Sequence, residues 1–530
     1  MKRFPHTYVI VSAIIVVVSI LTWVIPGGEF DRKTIVANGQ ERIVIDAQSF
    51  KYVPNQPQIW EIFGAFFQGF VNQAGIIIFI LIIGGTFWVI NTTQSIDVGI
   101  QALVKKTQAT NKIKLIRILG SDNVVIVFIM LIFSLFGAIF GMSEETIAFI
   151  VIFVPLSISM GYDSIVGLSI TYLAAHVGFA AAMMNPFTIG IAQGIAQLPL
   201  FSGIEYRFLC WLAINILAIT FVLWYARRIK KNPQLSPMFE LDKEWKTEHN
   251  ISMNINHLKA TTKTWIMYSF IALIGVYLSF VYSQTTIQIG NLILSFNFIA
   301  LLTIYFIISS FWAIRKSLRY FILNLLITTI FILILGVLGY KWYIKEIASL
   351  FLGLGITTAM VFGYSANETV KHFIDGAKDI LSAALVVGLA GGIIVLLNDG
   401  KIIDTLLYHI AQSLQNTGKI AAVSMMYLFQ NGLNIIIPSG SAKAALTMPI
   451  MSEFSDLIGI SRQLTVLAFQ FGDGFTNMIT PTSGVLLGAL SMAKIPYTIW
   501  FKWIFYFVLL LILVGWLLLL LPMFWSFNGF

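Results

Sequence analysis

The chain has 530 residues, of which 58% are hydrophobic and 11% are charged. Soluble domains carry about 25% charged residues, so this composition excludes an ordinary soluble protein and points to the bilayer. The formal net charge of +9 would suggest nucleic acid in a soluble chain, but most basic residues here fall in short loops, and no nucleic-acid partner is expected.

Apolar runs long enough to cross a bilayer recur from 8–25 to 501–521. The first follows Met1-Lys2-Arg3 and ends in Trp23-Val24-Ile25-Pro26 without a small-residue cleavage pattern, so it reads as a retained helix. Residues 27–57, with strand-like alternation in Ile43-Val44-Ile45, read as a solvated connector that completes a first unit, 1–57. An interfacial amphipathic helix (59–72), a span (74–91) and a basic loop come next. The apolar stretch 122–160 is interrupted at Gly141-Met142-Ser143-Glu144-Glu145-Thr146, and its second arm is short. A re-entrant hairpin is the economical reading, since irregular backbone at membrane depth needs protein or a water-filled cavity around it. A broken span (164–200) and a span at 205–226 complete a unit of 58–226.

The polar linker 227–263 reads as a second solvated connector, and its mixed charges Asp242, Lys243, Glu244 and Lys246 are assigned no chemistry. Four spans at 264–283, 293–312, 320–339 and 347–363 occupy 264–364. The remainder, 365–530, holds a second hairpin at about 420–455 and a second broken helix at about 460–495. The expected fold is therefore an all-α polytopic membrane protein with about eleven spans and two hairpins. Cys210 is the only cysteine, which excludes internal disulfides and disfavours a structural metal site.

The chain repeats itself. A shift of 307 aligns Phe66 with Phe373, Gly69 with Gly376, Gly84-Gly85 with Gly391-Gly392, Asn91 with Asn398 and Ile96-Asp97 with Ile403-Asp404. A shift of 295 aligns Asn185-Pro186-Phe187-Thr188 with Thr480-Pro481-Thr482-Ser483. Lys105, Lys106, Lys112, Lys114, Arg117, Arg227, Arg228, Lys230, Lys231, Arg315, Lys316 and Arg319 fall on one side of the expected spans. The positive-inside bias makes that side the cytoplasm and the N-terminus cytoplasmic. An odd number of crossings separates the copies, so they are expected to be inverted, as in secondary transporters.

Each half has two breaks: Ser143–Thr146 and Asn185–Thr188, then Pro438-Ser439-Gly440-Ser441 and Thr480–Ser483. Proline removes an amide donor and glycine relaxes the backbone, so the unwound chain presents carbonyls, hydroxyls and half-helix ends. Helix N-termini attract carboxylates, while carbonyls and hydroxyls can hold a monovalent cation. Glu144 and Glu145 at the first tip, Asp473 and Asn477 before the last break, and Lys443 after the second tip are charges or amides at costly depth. For the glutamates the bland alternative is a solvated or helix-capping pair; for Asp473 it is a structural pair with Lys443. His176 is either a proton-coupling group or a packed, hydrogen-bonded histidine. No phosphate-binding loop, metal-spaced His/Cys cluster or nucleophile motif appears, so ATP-driven pumping and intramembrane proteolysis lose support and no cofactor is expected.

Phe4–Tyr8, Gly141–Thr146, Asn185–Gly194, Leu198–Gly203, Ala445–Ile450, Phe469–Asn477 and Pro481–Gly484 together resemble the YfcC-like branch of the anaerobic C4-dicarboxylate carrier (DcuC) family. The resemblance implies the ion transporter superfamily, with two hairpin tips and two helix breaks around one substrate moved by an elevator motion. Carried onto this chain, it implies a first half-site of Ser143, Glu144, Glu145, Asn185 and Thr188. The second half-site would be Ser439, Ser441, Thr480, Thr482 and Ser483, with Asp473 and Asn477 beside it. It also implies Na+ or H+ as coupling ion, with Ser143, Asn185 and Thr188 as sodium ligands and His176 and Lys443 as coupling candidates. Lys443 departs from the neutral residue expected there, and a built-in ammonium would replace a bound cation. A bacterial inner-membrane location and a homodimer through the spans at 264–363 are further expectations. The acids favour an amino acid, basic ones included, over a C4-dicarboxylate. Outside carriers, a channel and a ligand-binding membrane receptor are the alternatives, and occluding breaks argue against both.

Overall fold

The computed structural model describes residues 7–37, 40–46, 48–96, 98–99, 102, 120–243, 245, 258–289, 292–342, 344–414 and 417–530. Asp97, the lysines 105–114, Arg117, Glu244, Lys246 and Phe4–His6 of the sequence analysis lie outside them.

The described chain is overwhelmingly helical. After α1 (Thr7–Val24) and a short stranded segment come α2 (Glu61–Asn72) and α3 (Ala74–Thr92). α4 (Ser121–Leu135) continues through a π-helical turn, Phe136–Phe140, and α5 spans Thr146–Ser159. α6 (Ser164–Ala180) is broken from α7, a π-helical turn at Pro186–Gly190 followed by Ile191–Ile195. α8 (Ile204–Lys231) closes this run. Four helices follow: α9 (Thr262–Val281), α10 (Phe298–Lys316), α11 (Leu318–Tyr340) and α12 (Ile344–Phe362). The last run is α13 (Ala366–Asp379), α14 (Leu381–Asp399), α15 (Ile403–Leu414), α16 (Lys419–Ile436), α17 (Gly440–Ile458), α18 (Arg462–Asn477), α19 (Gly484–Met492) and α20 (Tyr497–Phe524). Eight helices among the described residues are long and apolar enough to cross a membrane, and α13–α14 passes as a pair bent by 51°. The protein is a multi-pass membrane protein.

Local chemistry sets the helix starts. Ser365 and Glu368 form a capping box at α13, and Ser461 accepts from the Gln463 and Leu464 amides at α18. Gln73, between α2 and α3, and Ile380, between α13 and α14, have nearly the same backbone angles, φ −99° and −105°.

The scaffold is a crossed exchange in which α2 packs on α14 and α13 packs on α3. Glycines permit it. A Cβ added at Gly69 would lie 2.4 Å from the Gly392 amide nitrogen, and one at Gly376 would lie 2.5 Å from the Gly84 carbonyl oxygen. Small residues at such crossings are how membrane helices approach closely.

Two segments differ from the expectation of solvated connectors. In the first, β1 (Gly28–Glu29) pairs with β4 (Lys51–Tyr52), and β2 (Arg32–Ala37) pairs antiparallel with β3 (Gln40–Ile45), Arg32 opposite Ile45. It is fastened to the region around α15 by Arg32–Asp404 at 3.0 Å, Lys401–Glu29 at 2.6 Å and a Phe50–Tyr408 ring stack at 3.9 Å. In the linker, Ser236, Met238, Asp242 and Trp245 are buried. Ser236 Oγ and Tyr225 Oη donate to Asp163 Oδ2 at 2.6 and 2.5 Å, and the Ser164 amide donates to Asp242 Oδ2 at 2.9 Å. The linker thus docks on the start of α6. Polar composition alone gave no sign of either docking. A third two-stranded pairing, β5 (Thr285–Ile289) with β6 (Leu292–Phe296), lies between α9 and α10.

Candidate substrate site

Four interruptions in the helices meet at one cavity. The first is the turn between α4 and α5. It pivots on Gly141, whose φ of +72° favours glycine and whose absent Cβ admits Asn185; a Cβ there would lie 2.4 Å from Asn185 Oδ1. The Glu145 carboxylate folds back to accept from the Ser143 amide at 2.9 Å, and Thr146 Oγ1 donates to the Ser143 carbonyl at 2.5 Å. Glu145 is thereby committed to its own turn, while Glu144 lines the cavity.

The second interruption separates α6 from α7. Asn185 caps α7, its Oδ1 accepting from the Phe187 amide at 2.9 Å. The third is the start of α17, where Ser439 makes no side-chain cap bond, so the first amides of that helix keep their donor capacity. A Cβ at Gly440 would lie 2.6 Å from Thr188 Cγ2 and 3.0 Å from Asp473 Oδ2, so this turn presses on the second interruption and on Asp473 together. The fourth lies between α18 and α19. Ser483 caps α19 by accepting from the Leu486 amide at 3.3 Å. Thr480 and Thr482 donate to the Ile435 carbonyl at 3.3 and 2.6 Å, which pins this break to the end of α16.

The cavity has a volume of about 220 Å³. Ser143, Glu144, His176 and Thr188 line it from the first half, and Ser439, Ser441, Asn477, Thr482 and Ser483 from the second. Gln73, Val387, Ala390, Gly391 and Ile394 form the scaffold wall. Glu145, Asn185, Thr480, Lys443 and Asp473 are buried but are not among the lining residues. Glu144 is therefore the one acidic or basic side chain, histidine aside, at the cavity wall among the described residues.

His176 Nδ1 lies 3.0 Å from the Tyr172 carbonyl and Nε2 lies 3.2 Å from Ser143 Oγ. A carbonyl can only accept, so Nδ1 carries a proton; in the neutral ring Nε2 then accepts from the Ser143 hydroxyl, and in the protonated ring it donates to it. Both ring nitrogens are satisfied. Lys443 Nζ lies 3.0 Å from Asp473 Oδ1 and donates to Asn434 Oδ1 at 3.0 Å and the Gln430 carbonyl at 3.3 Å. Asn434 Nδ2 in turn donates to Asn477 Oδ1 at 3.0 Å, linking this buried cluster to the cavity wall.

Sequence reasoning missed Gln430, Asn434 and Gln73. Amides within the otherwise apolar arm 419–436 were an available signal for the first two. Gln73 was marked by its alignment with Ile380 at the shift of 307. Arg207, 1% exposed, also went unremarked. It donates to the Ser202 and Met183 carbonyls and to Gln463 Oε1, bracing the second interruption against the start of α18.

Of the side chains named for sodium, Thr188 Oγ1 is buried without a hydrogen-bond partner, Asn185 Oδ1 accepts from the Phe187 amide at 2.9 Å, and Ser143 Oγ lies 3.2 Å from His176 Nε2.

The sequence model of the C4-dicarboxylate anaerobic carrier family, DcuC, matches residues 4–314 and 312–523. A protein of Escherichia coli (strain K12), "Putative basic amino acid antiporter YfcC", is 31% identical over 534 residues, covering 94% of this chain and 92% of that protein. An uncharacterized protein of Haemophilus influenzae is 26% identical over 557 residues, covering 98% of this chain and 96% of its own. Among solved structures, the Alcanivorax borkumensis YdaH transporter is 13% identical with a TM-score of 0.38, covering 99% of each chain. Neisseria gonorrhoeae MtrF, from a class of antimetabolite efflux pumps, is 14% identical with a TM-score of 0.37, over 98% of this chain and 95% of that one. At those scores neither arrangement transfers to this chain.

Proposed function

The chain belongs to the C4-dicarboxylate anaerobic carrier family, a family of transporters and not enzymes, and from that premise we propose that it is a secondary transporter that exchanges amino acids, basic ones foremost. The observation that carries the substrate class is Glu144. It is the acidic side chain at the cavity wall, while Lys443 and Asp473 pair with each other away from the lining. A dicarboxylate would meet a like charge there at short range in a poorly screened site. An amino acid meets complementary groups: its ammonium on Glu144 and its carboxylate on the uncapped amides of α17 with Ser439 and Ser441. The name of the Escherichia coli relative supports the basic class.

The transport route follows from symmetry. The run from α2 to α8 and the run from α13 to α20 each place a 19-residue helix after a short first helix and end in a 28-residue helix. We read them as inverted repeats, bounded at 58–226 and 365–530, with tips and breaks forming the moving part and α2, α3, α13 and α14 the fixed wall. In this reading an elevator movement carries the cavity between the two faces of a bacterial inner membrane, with the N-terminus cytoplasmic. Dimerisation is assigned to α9–α12, since α9 buries only Thr264.

A counterflow screen of amino acids and dicarboxylates in proteoliposomes, across sodium concentration and pH, tests this. Exchange of arginine or ornithine for a related amino acid is expected. Exchange of succinate or fumarate with no amino acid flux sinks the proposal.

A further inference from the structure

We propose that the Lys443 ammonium is a built-in cation of the second hairpin, filling an oxygen cage of Gln430, Asn434 and Asp473 that would otherwise take a free monovalent ion. The cage has a carboxylate oxygen at 3.0 Å, an amide oxygen at 3.0 Å and a backbone carbonyl at 3.3 Å from Nζ. An ammonium has three N–H donors and no acceptor; two of them reach Asn434 Oδ1 and the Gln430 carbonyl, and Asp473 Oδ1 supplies the counter-charge at ion-pair distance. Carboxylate, amide and carbonyl oxygens are also the ligands that hard cations take, here from the body of α16 and from α18. The donor set is thus that of a cation site, and the charge in it is covalently attached.

Its position gives the charge a task. Lys443 stands in the first turn of α17, its amide donating to the Ser439 carbonyl at 2.8 Å. Gln430 and Asn434 belong to α16, and Asp473 belongs to α18. One ammonium therefore ties the two arms of the hairpin to the broken helix beside it. The tie reaches the cavity through Asn434 and Asn477, and through Asp473 Oδ2, 3.0 Å from the Cβ position of Gly440. A free ion in such a cage would make hairpin closure depend on its concentration. A tethered one holds the hairpin closed at any sodium level, which suits an exchanger driven by its own solutes.

The device belongs to one half only. At the shift of 295 that aligns the breaks, Lys443 and Asp473 fall opposite Ala148 and Gly178. A buried ion pair is also weak grounds for stability, because desolvation offsets much of the attraction. A purely structural pair would leave nothing to gain from sodium.

The inference deepens the exchange proposal for the same site, but its test does not require the transported solute. Thermal unfolding of the purified protein is measured in sodium chloride and in choline chloride at equal ionic strength. The wild type is expected to show the smaller sodium-specific rise. K443Q keeps the cage and adds an amide oxygen; its melting temperature is expected to rise by several degrees at about one hundred times the dissociation constant. K443Q/D473N, which lacks the carboxylate, is expected to lose that rise. Folding of K443Q in sodium but not in choline supports the inference equally. A K443Q response no larger than the wild type's, or failure to fold in both salts, overturns it. Absence of amino acid counterflow beside a sodium-responsive K443Q removes the substrate proposal and leaves the cage standing.

Discussion

The Glu145 carboxylate accepts from the Ser143 amide at 2.9 Å, and this one bond separates two neighbouring glutamates into different tasks. Glu145 maintains the turn; Glu144 faces the cavity. E145A should lower thermal stability, by about 1–3 kcal/mol for a lost hydrogen bond to a charged group. E144Q should leave the melting temperature unchanged and weaken an amine-bearing substrate by about 2–5 kcal/mol, at least thirtyfold in affinity. Melting curves and binding isotherms on both variants check this. Equal loss of stability in the two would erase the distinction.

Asp473→Asn leaves the Lys443 ammonium fully buried without its counter-charge. Breaking a buried pair in this way costs about 3–5 kcal/mol. The variant should still insert, unfold at lower temperature and lose transport. Adding Lys443→Gln should restore most of the stability, because the unpaired charge is gone. Normal uptake by D473N in proteoliposomes would reduce the pair to a structural role.

The crossed scaffold makes the third prediction. An added methyl at Gly69 or Gly376 meets backbone at 2.4 or 2.5 Å, so α2 must move from α14, or α13 from α3. G69A and G376A should each destabilise by about 1–3 kcal/mol. G64A and G432A, with nothing within 4 Å, should be neutral or gain up to about 1 kcal/mol of helix propensity. Melting temperatures of the four variants decide it.

These glycines were legible because their information is local. Gly69 and Gly376 match at one shift, as do Gly84-Gly85 and Gly391-Gly392, and the structure puts each set at the closest crossings of its helices. The helix interruptions were legible for the same reason, marked by Pro, Gly and clustered hydroxyls. The division between Glu144 and Glu145 was not legible, since it depends on which way two like side chains turn. Nor was the docking of 28–52, whose partners Asp404 and Lys401 lie more than 350 residues away. Such contacts leave no mark in a local pattern. For the linker, Trp245 and Met238 were the available hint, as two large apolar side chains in a polar run.

That docked segment responds to acid. The Lys401 ammonium, hydrogen-bonded to Glu29, holds the carboxyl below its ordinary value of 4.5. A depressed carboxyl contributes stability above its unfolded value and loses it as the pH falls through the folded one, so the loosening begins below about pH 4.5. Both partners are about a third exposed, 34% and 39%, so the effect is at most about 1 kcal/mol. Protection factors of the amides at 28–29 and 51–52, corrected for the intrinsic pH dependence of exchange, should fall between about pH 6 and about pH 3.5, on either side of the ordinary carboxyl value of 4.5. E29Q should flatten that fall.

Equilibrium binding of labelled arginine and succinate to purified wild type and E144Q separates the two substrate classes, because only an amine-bearing solute needs the Glu144 carboxylate. Saturable arginine binding to the wild type is expected, weakened at least about thirtyfold in E144Q, with succinate binding weaker than arginine and no worse in E144Q. Tight succinate binding to the wild type, with arginine binding absent or unaffected by E144Q, would contradict the amino acid proposal.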